Sequence, residues 1–67
     1  MRSDAFIYMS GKIYILVRDE SMVPANKIAA RVSMTRDRLS SLVNTSWREY
    51  QSLLEHYFEH GQKLVTA

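Results

Sequence analysis

Three groups of residues in this 67-residue chain have the type and spacing to do chemistry. The first is His56-Tyr57-Phe58-Glu59-His60, an H-x-x-E-H run that sets two imidazoles one helical turn apart. That is the spacing of the inverted zinc-protease motif. Hydrolysis by a metal ion further needs a third protein ligand and a shaped cleft. The chain has no other histidine and no cysteine, and it is too short to enclose a cleft. The pair therefore reads as the polar flank of an amphipathic helix, with an adventitious or dimer-bridging metal ion as the other use of that spacing. No Gly-rich phosphate loop occurs, so no catalytic residue, metal site, cofactor or enzyme activity is expected.

The second group is the stripe Trp47, Tyr50, Leu53, Leu54, Tyr57 and Phe58, spaced by threes and fours as on one side of a helix. Aromatic rings so arranged can stack on single-stranded bases. In so small a domain they are expected instead in a core or a dimer interface, with Trp47, Tyr50, Leu54, Tyr57 and Phe58 as the interface residues. The third group is cationic. Residues 24–44 hold Lys27, Arg31, Arg36 and Arg38 against Asp37, a net +3, whereas residues 1–23 are neutral and residues 45–67 carry −1. The chain's excess of +2 is thus concentrated in one stretch, which suits phosphate contacts or simply a solvated basic face.

Residues 25–44 would position that charge as two helical segments meeting at a corner. Ile28 and Val32, like Ala25 and Ala29, lie four apart, which gives one apolar face of helical period. Pro24 suits a first helical position. Thr35 reads as the N-cap of a second segment, with Asp37 in its first turn. Leu39, Leu42 and Val43 form its buried side, and Arg36, Asp37, Ser40, Ser41 and Asn44 its polar side.

This stretch, about a third of the chain, resembles the helix-turn-helix of phage and bacterial repressors. Ala29 takes the small position, Ile28 and Val32 the core positions beside it, Met34 the apolar site after the turn, and Leu39 and Leu42 the buried sites of the second helix. Ser33 departs from the pattern, since the family usually has a glycine there. The resemblance implies a second helix in the major groove of double-stranded DNA. Thr35, Arg36, Asp37, Ser40, Ser41 and Asn44 would then face DNA, Arg36 would read a guanine edge, and Lys27, Arg31 and Arg38 would contact phosphate. Such a protein would be a transcriptional regulator, a repressor or an accessory factor of a phage, plasmid or bacterium, working in the cytoplasm.

The remaining segments complete a single domain. Residues 5–17 hold two β-branched and aromatic runs around Ser10-Gly11. They predict a hairpin that sets Met9 opposite Lys12, Tyr8 opposite Ile13 and Ile7 opposite Tyr14. Ser46 with Glu49 forms a capping box, so a helix is expected over 47–60, stopped by Gly61 and separate from or continuous with 36–44. Leu64 to Thr66 is strand-like and either joins the hairpin or stays loose. The expected fold is therefore α+β: an N-terminal β-hairpin (5–17), a helix-turn-helix (24–44) and a third, amphipathic helix (47–60).

A chain this short buries only about 60% of its unfolded surface, and it has no disulfide to compensate. A homodimer is the expected remedy. No apolar run reaches the ~18 residues of a membrane span, and Asp4 with the interrupted apolar stretch after it argues against a secretory signal. Two other functions fit the residues. A ribbon-helix-helix dimer would read DNA with the strand Lys12 to Arg18, though that ribbon holds few polar groups to do so. A protein-interaction module or inhibitor would dock on a host protein through the aromatic stripe 47–58.

Overall fold

A computed structural model describes residues 1–66. The chain forms a four-stranded antiparallel sheet in the order β2-β1-β3-β4, with two helices packed on one face. Strand β1 is Arg2–Ser10, β2 Ile13–Val17, β3 Ile28–Thr35 and β4 Gln62–Val65, and the helices are α1, Arg36–Leu42, and α2, Trp47–His60. A single 3₁₀ turn, Glu20–Met22, interrupts the connection from β2 to β3.

The expected hairpin forms with its loop moved by one residue. Ser10 pairs with Ile13, Met9 with Tyr14 and Tyr8 with Ile15, so the two loop residues are Gly11 and Lys12. Gly11 takes φ +64° at the first central position of the turn, where a residue with a Cβ is strained.

The helix-turn-helix does not form, and the expected three helices after the hairpin are two. The segment expected as the first helix is strand β3, which lies between β1 and β4. Its sequence, IAARVSMT, carries two periods at once: Ile28 and Val32 are four apart, but Ile28, Ala30, Val32 and Met34 also alternate. The alternation prevails because β1 offers a partner along the whole length, from Arg2 opposite Thr35 to Tyr8 opposite Ala29. The pairing buries Ala30, Val32 and Met34 towards the helices and Ala29 towards the other face. Pro24 opens a turn instead of a helix. The Lys27 N–H donates to the Pro24 carbonyl (3.3 Å), and Asn26 takes φ 66° at the third turn position, where type II geometry requires a positive value.

Strands β2 and β3 both run antiparallel to β1, so they are parallel to each other. The chain between them, residues 18–27, must cross the face of β1. It crosses opposite the helices, where Val23 packs with Phe6 and Ala29 beneath Tyr8, Val17 and Leu64. On the helix face Leu39, Leu42 and Leu54 bury against Ala5, Ile7, Val32 and Met34.

Both helices begin as the sequence predicts. The Thr35 hydroxyl accepts the Arg38 N–H (3.2 Å) and the Ser46 hydroxyl accepts the Glu49 N–H (3.4 Å), so α1 and α2 are separate helices, each satisfying an end that would otherwise hold unpaired donors. Gly61 ends α2 at an ordinary φ of −83°. Its need is space: a Cβ there would stand 2.8 Å from the Tyr57 carbonyl oxygen and 2.9 Å from Val32 Cγ1. The tight approach lets β4 turn back onto β3 as the outer strand. The tail therefore joins the sheet beside β3 and not beside the hairpin, and Thr66 ties it to the 24–27 turn with a hydroxyl donated between the Pro24 and Lys27 carbonyls (2.9 and 3.0 Å).

Candidate nucleic-acid interface

The register of the sheet gathers cations that are far apart in sequence. Strand β2 ends at Val17, opposite Phe6, so residues 2–5 of β1 run on past it without a partner on that side. Arg18 emerges there from β2. On the other side of β1, β3 ends at Thr35 opposite Arg2, and α1 starts at once with Arg36, whose N–H donates to the Met1 carbonyl (3.3 Å). The result is a cleft of about 360 Å³ lined by Ser3, Asp4, Arg18, Arg36, Leu39 and Ser40. Arg36 and Ser40 are one turn apart on α1 and share a face.

Arg2 lies beside this cleft with its guanidinium spent locally, donating to the Ser33 carbonyl (2.6 Å) and weakly to the Ser33 hydroxyl. It still contributes its charge. Arg38 is exposed on α1. Arg18 and Arg36 thus meet at one cleft beside Asp4, with Arg2 next to Ser3 in β1, while Arg38, two residues on from Arg36, points to another side of α1. The opposite balance holds on α2, where Glu49, Glu55 and Glu59 face only Arg48.

The other residues expected to face DNA are divided between places. Thr35 is the cap of α1. Asp37 and Asn44 are exposed, but Ser41 turns its hydroxyl onto the Arg38 carbonyl (2.9 Å) and is poorly placed to read a base. Arg31 lies on the sheet face away from the helices, where it donates to the Gln62 side chain. Lys27 precedes β3 and Arg36 follows it, so the length of the strand, roughly 30 Å for nine residues, separates them. The +3 stretch therefore does not make one basic face. Sequence reasoning missed Arg18 and Ser3. The available signal was the hairpin register, which once set at Phe6 opposite Val17 carries Arg18 to the N-terminal half of β1.

The residues expected at a dimer interface are mostly used within the chain. Leu54 is fully buried, and Tyr50, Tyr57 and Phe58 are half-buried against the same core. Phe58 meets Tyr14 (ring centroids 5.4 Å apart) and lies under the Lys63 ammonium at 3.8 Å. Burial, then the charges of Glu55 and Glu59, push the Tyr14 hydroxyl above its ordinary pKa. Trp47 alone of the stripe is open, 63% exposed. It lies nearly parallel to Tyr50 at 5.7 Å over a hollow shared with Leu42, Val43 and Thr45.

No family model, curated protein or solved structure matches the chain. Among the described residues, no helix is long and apolar enough to cross a membrane.

Proposed function

We propose that the chain is a small DNA-binding protein that contacts double-stranded DNA with the end at which α1 meets the N-terminal half of β1. The observation carrying this reading is the convergence of Arg18 and Arg36 on one cleft, with Arg2 next to Ser3 of its lining and Arg38 exposed elsewhere on α1. Two arginines against one carboxylate in the cleft lining make an electrostatic footprint for phosphates, while the glutamates of α2 make the outer side of that helix unfavourable for DNA. Arg18 and Arg38 act as phosphate contacts. Arg36 is the base reader, because a guanidinium donates two parallel hydrogen bonds to a guanine edge, and Ser40 beside it supports phosphate or base. The role is transcriptional regulation in the cytoplasm, by occupying a site.

Fluorescence anisotropy on random and native upstream duplexes at two salt concentrations tests it. Arg18→Ala should weaken all sequences about equally and reduce the salt slope by about 1. Arg36→Ala should cost about 1–3 kcal/mol on the preferred site and less on random DNA. Binding unchanged in the Arg18/Arg36 double variant, or absent in the parent protein, rejects the reading.

A second reading rests on a different observation. Val43 and Trp47, 77% and 63% exposed, flank an apolar hollow suited to a protein partner. Trp47 is the sole tryptophan, so a partner seated there would shift the protein's indole emission to the blue.

A further inference from the structure

The His56 and His60 rings stand 4.6 Å apart, centroid to centroid, on an exposed edge of α2. They line one shallow hollow with Ser52, Glu55 and Glu59. Two imidazoles bound to one tetrahedral zinc ion through nitrogens at about 2.0–2.1 Å place their ring centroids roughly 5 Å apart. The helix therefore already holds both rings near the separation that a shared ion requires, and small side-chain rotations complete the approach. Because α2 is capped at Ser46 and anchored by fully buried Leu54, the pair is carried on a rigid element.

The chain supplies two strong ligands and no more. No group of three or more metal-ligating side chains occurs among the described residues, and the sequence holds no further histidine and no cysteine. A closed tetrahedral site needs four ligands. We propose that His56 and His60 are one half of an interchain site for a divalent transition-metal ion of the zinc class, completed by the same pair from a second copy. A twofold axis through the ion satisfies this requirement, since the same patch then serves both chains and the assembly closes at two.

Charge points the same way. Facing two copies of this helix edge brings Glu55 and Glu59 of each chain together, four carboxylates that repel without a cation between them. A doubly charged ion at the centre offsets half of that charge and takes the four imidazoles as its ligands. The contact involves neither the arginine end nor Trp47, so it stands apart from the DNA reading.

Zinc alone is the probe. Sedimentation equilibrium of the whole chain with Zn²⁺ and with a chelator, together with calorimetric titration, should show a monomer that doubles its mass on binding one ion per two chains and reverts on chelation. His56→Gln and His60→Gln, both exposed substitutions, should each weaken zinc binding at least tenfold and abolish the doubling, with unchanged circular dichroism in the absence of metal. A monomer at saturating zinc, one ion bound per chain without association, or zinc-driven association that survives both substitutions overturns the proposal. The readout is mass and stoichiometry and requires no DNA.

Discussion

The two faces of the sheet are covered by different means. On one face, two capped helices set Leu39, Leu42 and Leu54 against Ala5, Ile7, Val32 and Met34. On the other, an extended segment with one 3₁₀ turn crosses the strands and contributes a single buried side chain, Val23, over Phe6 and Ala29. A helix fixes its own backbone hydrogen bonds and can present a row of side chains. A crossing loop must spend its polar groups on turns and caps, as Asp19 does in accepting the Ser21 N–H (3.1 Å). The helix face should therefore carry most of the stability. The loop face should act as a fastening that holds β2 and β3 at their stations beside β1.

The largest test of this contrast is Leu54→Ala. Leu54 is fully buried at the centre of the helix face, and its truncation leaves a cavity that β1 and β3 cannot collapse to fill. A loss of about 2–5 kcal/mol is expected, measured by denaturant unfolding, and in a domain this size it is a large share of the whole stability. Gly61→Ala comes next, at about 1–3 kcal/mol from overpacking, because the added carbon must displace backbone at Tyr57 as well as Val32. Val23→Ala should cost less, about 1–2 kcal/mol for the methyl groups lost, since a loop can settle towards Phe6. If Val23→Ala proves as damaging as Leu54→Ala, the crossing segment is a second core and the contrast between the faces fails.

The same contrast explains which parts could be read from the chain alone. Helix α2 was legible over 47–60 because cap, stripe and stop agree locally over Ser46 to Gly61, although the sequence pattern equally allowed it to continue from 36–44. The Thr35 cap of α1 and its buried Leu39 and Leu42 were legible for the same reason, whereas Val43, expected on the same buried side, is exposed because α1 ends at Leu42. Strand β3 was not, because Ile28, Ala30, Val32 and Met34 satisfy a helical and a strand period together. The choice was made by β1, more than twenty residues earlier, and by β4, more than twenty-five later. The arginine cleft was half legible. Arg36 and Ser40 stand in the cationic stretch 24–44, whereas Arg18 and Ser3 arrive through strand register, which composition does not encode.

Gln51 gives the smallest and most specific test, since it is the point at which the helix face reaches round to the sheet's open edge. Strand β2 is an outer strand, and the backbone groups of such a strand invite pairing with another chain. At Tyr14 both groups are occupied: the N–H donates to Gln51 Oε1 (2.8 Å) and the carbonyl accepts from Gln51 Nε2 (3.1 Å). One side chain on α2 thus imitates the strand that is not there. Gln51→Ala removes both bonds without touching the core, and water can replace them at this half-open position. The expected cost is about 1 kcal/mol, a fall in Tm of roughly 4–8 °C for a domain this small. The sharper readout is local. Hydrogen exchange at the Tyr14 amide should rise towards the rate of a free strand edge while Leu54 and Ile7, inside the helix face, keep their protection. Protection at Tyr14 that survives the substitution would mean that the strand edge is held by something other than α2. Edge blocking would then have to be sought in the shortness of β2 itself.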